Sequence, residues 1–229
     1  LVVGLGESHT HARIADIVAS QTNPTIAYLA SAGRVKVRVT AKASSDEAAR
    51  SLIAPVEKEI RARLGEAAVR GEGSSLAQIV GDHLRARGET VAVAESLTGG
   101  MIAAELTESE GASGFFKGAA VVYTAEAKQE VLNVDRAIID GPGVVSEECA
   151  AALAEGVAKL YSADLGLAAT GVAGPEAHDG KPPGTVFVAA SYGGSVEVRK
   201  PRAYGDRSNI RAMSVTAALD LGRRLLERG

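Results

Sequence analysis

From residue 75 onward, apolar runs of strand length alternate with segments of helical period, and this alternation constrains the fold more than any other feature. The helix "SLAQIVGDHLRARG" stops at Gly88, and the strand "TVAVAE" follows. The helix "GGMIAAELTES" then leads to the strand "FKGAAVVYT" and the helix "AEAKQEVLNV". "SEECAAALAEGVAKLYS" is a helix whose Ser146 and Glu147 supply a cap and a first-turn acid. The strand "DLGLAAT" runs into the loop "GVAGPEAHDGKPPG". "TVFVAASY" and "VEVRKPRAY" flank Gly193-Gly194, a hairpin signal, and a long helix runs from about Asp206 to Glu227. Strands alternating with helices, then a hairpin, predict the α/β class: a three-layer α/β/α domain with a mixed sheet over residues 74–229.

Residues 1–70 read as a separate small α+β unit. "ESHTHARIADIVASQ" is helical, with Ile14, Ile17 and Val18 on one face, and Pro24 in "TNPT" breaks it. "TIAYLAS" and "VKVRVTAKA" are strands joined at Ala32-Gly33. The second sets Val35, Val37 and Val39 on a buried face against Lys36, Arg38 and Thr40 on a wet, basic one. A helix follows in "SSDEAARSLIAPVEKEIRARLG", with Ser45 as N-cap; Pro55 within it predicts a kink or a break. "RGEGSS", residues 70–75, is the linker candidate. The chain begins at Leu1 rather than Met, which points to a missing upstream part.

Apolar residues make up 46% of the chain but aromatic residues only 3%, so Ala, Val, Leu and Gly must pack helices closely onto the sheet. A net charge of −3 with both signs mixed argues against general nucleic-acid or membrane affinity. No apolar run approaches the roughly 18 residues of a membrane span, and no stretch of the chain reads as a signal peptide. The lone Cys149 excludes an intrachain disulfide and suits a reducing compartment, so a cytoplasmic protein is expected. In its helix, Cys149 reads as a small buried hydrophobe. No His, Cys or carboxylate cluster has metal-ligand spacing, and no metal or organic cofactor is expected.

Polar or glycine residues stand directly after three strands: Glu95-Ser96 with Thr98-Gly99-Gly100, Tyr123-Thr124 leading to Lys128, and Thr170-Gly171 leading to Gly174-Pro175. In open α/β sheets ligand sites gather beyond the carboxyl ends of strands, so these turns are expected to converge. Serine needs a base to act as a nucleophile. His9, His11, His83 and His178 are poorly placed for that task, and Lys128 is the alternative, provided burial lowers its pKa. Tyr123 is placed to hydrogen-bond the amine or relay a proton. Thr98, Gly99 and Gly100 open a helix whose N–H groups suit an oxyanion or a phosphate, and the sequence does not choose between them. The motif is neither a P-loop nor GxSxG. Arg207 offers a fork for a phosphate or carboxylate. Each residue also has a plain reading: Ser96 as a helix cap, Lys128 as a solvated helix lysine, the glycines as turns, and Arg207 as a surface arginine beside an Asp206 cap.

Together, "AESLTGG", "VVYTAEAK", "VSEE", "TGVAGP", "KPPGTV" and "GDRSNIR" resemble, in order and approximate spacing, the nicotinamide-nucleotide amidase domain that is the C-terminal domain of CinA. The stretch before it, with "GLGES", "QTNPT" and "VRVTAKA", is similar to the KH-like linking domain that precedes the amidase domain in that family. The resemblance implies hydrolysis of nicotinamide mononucleotide to nicotinic acid mononucleotide and ammonia, within pyridine-nucleotide salvage. It also implies Ser96 as nucleophile, Lys128 as general base and Tyr123 as their hydrogen-bonding partner. Thr98, Gly99, Gly100, Thr170 and Gly171 would line the pocket, with Arg207 on the phosphate. Leu97 stands where the family commonly has Cys, Glu110 where it has Pro and Gly143 where it has Ala, and the loop after Gly174-Pro175 is spelled differently. The alternative is a non-catalytic nucleotide-sensing or partner-binding module linked to competence and DNA repair. Lys36 and Arg38 make only a weak basic patch, and the small unit lacks a GxxG loop, so nucleic acid is not the expected partner. The small and apolar residues of the last helix point to a homodimer.

Overall fold

The small residues that replace aromatics let helices approach the sheet closely, and their alternation decides which helix covers which face. In the computed structural model, which describes residues 1–69 and 75–228, the chain forms two compact units, Leu1–Glu72 and Gly73–Gly229. Residues 70–74 of the linker candidate lie outside the described residues, and Ser75 caps the helix that follows.

The first unit is built from β1 (Val2–Val3), α1 (Glu7–Ala19), β2 (Thr25–Ser31), β3 (Arg34–Thr40) and α2 (Asp46–Leu64). Its antiparallel sheet has the order β1-β3-β2. Ala32 and Gly33 have φ of 51° and 75°, the left-handed pair that a two-residue hairpin requires. Val2, Ile14, Ile26, Val35, Ile60 and Leu64 form the core, while Lys36 and Arg38 face outward. The expected break at Pro55 does not occur, and α2 is one helix. Ser51, whose carbonyl loses its usual donor to Pro55, is exposed, so water can replace that bond. β1 was not foreseen, because two residues carry no periodicity.

The second unit comprises α3 (Leu76–Arg87), β4 (Val91–Glu95), α4 (Met101–Thr107), β5 (Phe116–Val121), α5 (Ala125–Leu132), α6 (Arg136–Asp140), α7 (Glu147–Tyr161), β6 (Leu165–Gly171), β7 (Val186–Tyr192), β8 (Ser195–Arg199) and α8 (Arg207–Arg228). Its mixed sheet has the order β5-β4-β6-β7-β8. β4 pairs in parallel with β5 and β6, whereas β6–β7 and β7–β8 are antiparallel. Successive strand residues point to opposite faces. On β6, Leu165 and Leu167 meet Gly222 of α8, while a Cβ at Gly166 would lie 2.1 Å from the Ala154 carbonyl oxygen of α7. The sheet is thus sandwiched, with α7 on one face and α8 on the other, α3 packing against α8. Ala92, Ala94, Ala168 and Ala189 give α7 the room to pack. α6, capped by the Asp135 carboxylate on the Ala137 N–H, was not foreseen, being only one turn long.

The connection after β4 leads to β5 on one side, and that after β6 leads to β7 on the other. The carboxyl ends of β4 and β6 therefore flank the switch point where such sheets open a crevice.

Candidate active site

Ser96 comes directly after β4 and is pinned by both neighbouring strands. Its N–H donates to the Ala169 carbonyl of β6 (3.0 Å), and the Glu95 carbonyl accepts from the Val122 N–H just past β5 (2.9 Å). Val122 and Tyr123 then lead into α5, whose first turn is set by the Thr124 hydroxyl accepting from the Ala127 N–H. That cap points Lys128 back over the strand ends, where only 1% of its surface is exposed. Its Nζ lies 3.3 Å from Ser96 Oγ, 2.8 Å from the Val122 carbonyl oxygen and 3.4 Å from that of Tyr123. An ammonium would donate to all three; a neutral amine would donate to the two carbonyls and accept the serine proton.

Burial lowers the Lys128 pKa, and Cys149 acts in the opposite sense. Burial also pushes the Cys149 thiol up to about 11. Near neutrality that thiol is uncharged and gives the lysine no anion to hold its proton. The expected burial of Cys149 is met, with no exposed surface.

Glu95 answers why an acid precedes the serine. It is fully buried, and its carboxylate accepts from the backbone N–H groups of Gly100 (2.9 Å), Ile102 (3.1 Å) and Ala103 (2.9 Å). These are the donors that a helix start leaves open, so Glu95 caps α4 from the strand side. The expectation that N–H groups around Gly99 and Gly100 await an oxyanion or phosphate is thereby corrected. The Gly100 N–H belongs to Glu95, and the Gly99 N–H donates to the Ser96 carbonyl (3.1 Å). The two glycines are there for backbone reasons, with φ of 58° at Gly99 and 95° at Gly100. Nor does Ser96 cap a helix.

Tyr123 meets the amine through its carbonyl, not its phenol. The phenol, on a side chain that is largely exposed, accepts from an Arg207 Nη (3.1 Å), and the other Nη of Arg207 donates to the Gly174 carbonyl (2.8 Å). Arg207 thus ties the loop after β5 to the loop after β6, and Asp206 caps α8 through the Asn209 N–H. Thr170, 1% exposed, spends its hydroxyl on the Val144 carbonyl (2.7 Å), bracing the segment before α7 rather than presenting a free donor. At Gly171 a Cβ would come within 2.7 Å of the Thr185 carbonyl oxygen, so its glycine serves close strand packing. Thr98 is fully buried, and its Oγ1 has no hydrogen-bond partner.

Sequence reasoning passed over Arg211 and Lys181. Arg211, one helical turn beyond Arg207, donates from Nε to the Leu97 carbonyl and from Nη2 to that of Thr98, both at 2.9 Å. The i, i+4 spacing of two arginines at a helix start was its visible signal. Lys181 donates to the Pro142 and Val145 carbonyls and holds the loop before α7. Among the described residues, no group of three or more His, Cys, Asp or Glu is placed to hold a metal ion, and no helix is long and apolar enough to cross a membrane.

A three-layer α/β/α unit carrying a buried serine–lysine pair at the switch point of a mixed sheet is the class that fold and site define. The chain belongs to the CinA family: the CinA C-terminal domain matches residues 73–226, and the damage-inducible protein CinA KH domain matches residues 1–69. A CinA-like protein of Dictyoglomus thermophilum is 44% identical over 225 residues, which is 97% of this chain and 54% of that protein. A putative competence-damage inducible protein of Bacillus subtilis is 41% identical over 224 residues, 98% of this chain and 54% of that protein. The chain spans about half the length of these curated relatives. Among solved structures, a CinA superfamily protein from Klebsiella pneumoniae matches with TM-score 0.65 and 34% identity, over 67% of this chain and 97% of that one. The competence/damage inducible protein CihA of Agrobacterium tumefaciens matches with TM-score 0.61 and 31% identity, over 69% of this chain and 99% of that one.

Proposed function

We propose that the chain is an amidohydrolase that deamidates nicotinamide mononucleotide, with Ser96 as nucleophile and Lys128 as general base. The observation that carries this reading is the buried amine 3.3 Å from the serine hydroxyl, with its pKa lowered by burial. The substrate is the one that the nicotinamide-nucleotide amidase resemblance implies.

Neutral Lys128 takes the Ser96 proton as Oγ bonds to the carboxamide carbon. The carbonyl π pair moves onto oxygen and returns as the C–N bond breaks. Lys128 delivers its proton to the departing nitrogen, which leaves as ammonia. Water then attacks the acyl ester, giving one proton to Lys128 and so back to Ser96 Oγ, and nicotinic acid mononucleotide is released. The Val122 and Tyr123 carbonyls hold the amine in place throughout. Arg207, exposed at the mouth between two loops, is the candidate ligand for the substrate phosphate.

The test is ammonia release from nicotinamide mononucleotide by the wild type and by Ser96→Ala, with chelator present. Release by the wild type, reduced by roughly three orders of magnitude or more in Ser96→Ala, supports the reading. No release by folded wild type removes the substrate assignment, and an undiminished rate in Ser96→Ala removes the nucleophile.

A further inference from the structure

Ser96 stands on a short non-repetitive turn, and a nucleophile needs its backbone fixed to within a fraction of an ångström. The bonds of that turn fall into two sets. On the donor side, Ser96 bonds Ala169, Gly99 bonds Ser96, Met101 bonds Thr98, and the Glu95 carboxylate takes Gly100, Ile102 and Ala103. On the acceptor side, Gly99 serves the Ser96 carbonyl, and the Arg211 guanidinium serves both the Leu97 and the Thr98 carbonyls. Glu95 and Arg211 therefore hold the turn from opposite ends.

The N–H groups of Leu97 and Thr98 are the ones left without a protein partner among the described residues. In a trans peptide the C=O and N–H point opposite ways. The Gly99 bond to the Ser96 carbonyl leaves the Leu97 N–H on the opposite edge of that peptide. Arg211, drawing the Leu97 carbonyl toward α8, turns the Thr98 N–H away from that helix. Thr98 is wholly buried, whereas Leu97 retains 4% exposure beside the 8% of Ser96. Of the two donors, only the Leu97 N–H belongs to a residue with any exposed surface. A donor on the residue after a serine nucleophile suits the oxyanion of acyl transfer.

We infer that Arg211 is a positioning residue for acyl transfer: by gripping two consecutive carbonyls it sets the Ser96 hydroxyl and the Leu97 N–H toward the same carboxamide. The inference rests on the amidohydrolase reading, but not on the identity of the amide. Arg211 is only half-buried, reaches the turn from α8 and is not one of the buried core residues. A Cβ on Gly99 would lie 3.3 Å from its Nη2, which is a second reason for glycine there.

The experiment compares wild type, Arg211→Ala and Arg211→Lys in the full chain. Three readouts are taken: kcat and KM for ammonia release, the rate at which a fluorophosphonate labels Ser96 by intact mass, and rescue of Arg211→Ala by low millimolar methylguanidinium. In Arg211→Ala, kcat and the labelling rate should both fall about a hundredfold, as for a lost oxyanion donor, while KM stays within about threefold. Lys, a single-point donor, should fall between, and methylguanidinium should restore about tenfold to Arg211→Ala. Near-wild-type kcat and labelling, or a loss confined to KM, would overturn the inference. So would a lost kcat that methylguanidinium leaves unchanged in folded protein. If Arg211→Ala does not fold, Arg211→Gln, which keeps one amide donor, carries the same comparison. If the wild type releases no ammonia, the substrate reading fails by itself. Arg211-dependent labelling of Ser96 would then still uphold the positioning role, and Arg211-independent labelling would still sink it.

Discussion

Lys128 carries the only charge-bearing group within hydrogen-bond reach of Ser96 Oγ among the described contacts, and it is nearly sealed from water. On the amidohydrolase reading, its lowered pKa predicts a definite pH dependence of the rate. Log kcat/KM should rise with unit slope as pH increases and level off at a pH below the ordinary lysine value of 10.5. Lys128→Arg should abolish that limb together with roughly a thousandfold or more of the rate, since arginine stays protonated. The same shift links to stability. Below the folded-state pKa both native and unfolded chains hold the proton, and the cost of burying the ammonium is fully felt. Between that pKa and 10.5 only the unfolded chain holds it, so stability rises with pH. Cys149, raised from 9.0 to about 11, acts oppositely above 9.0, so the rise is clean below that pH. Unfolding free energies of wild type and Lys128→Met should diverge in the wild type's favour as pH climbs through this window. At Tyr123 the phenol serves Arg207 and the carbonyl serves the amine. Tyr123→Phe should therefore keep kcat within about tenfold and act mainly on KM, the loss of one neutral-to-charged bond being worth about 1.5–3 kcal/mol at most. A kcat collapse in Tyr123→Phe would return the phenol to the chemistry.

At the scale of elements, the first two turns of α8 reach all three loops at the strand carboxyl ends: Arg211 grips the one after β4, and Arg207 joins those after β5 and β6. The other helix face of the sheet depends on closeness. Gly166 lets α7 lie against β6, and a Cβ there would sit 2.1 Å from a backbone oxygen, which cannot rotate away. Gly166→Ala should destabilise the second unit by about 1–3 kcal/mol in chemical unfolding, through overpacking. It should also weaken the site, because α7 carries Cys149 beside Lys128 and starts where Thr170 and Lys181 brace the chain. Element identity was largely legible: Ser45 and Ser146 cap the helices they were expected to cap, and Ser75, read as the end of the linker, caps α3. Pro55 does not break α2, because propensity knows nothing of an exposed carbonyl that water can satisfy. The Glu95 cap was missed because a strand residue serving a later helix leaves no local pattern.

At the scale of the molecule, the two units have separate cores. The two solved relatives named above match over 67–69% of this chain and 97–99% of theirs, a share about the size of the second unit. Residues 75–229 alone should fold cooperatively and retain the wild-type rate of ammonia release, measured by thermal unfolding and the same assay. A fragment that folds but is inactive would assign the first unit a part in catalysis.

The sequence alone determined the α/β alternation, the caps and the candidacy of Ser96 and Lys128, because these depend on neighbours within a turn or a strand. Only the tertiary structure decided that Lys128 is buried, that Glu95 consumes the helix donors once assigned to an oxyanion, and that Arg211 holds the Ser96 turn across 114 positions of chain. Desolvation and hydrogen-bond satisfaction belong to the packed state: the sequence names the groups, but the enclosing elements decide which charge is costly and which N–H remains free.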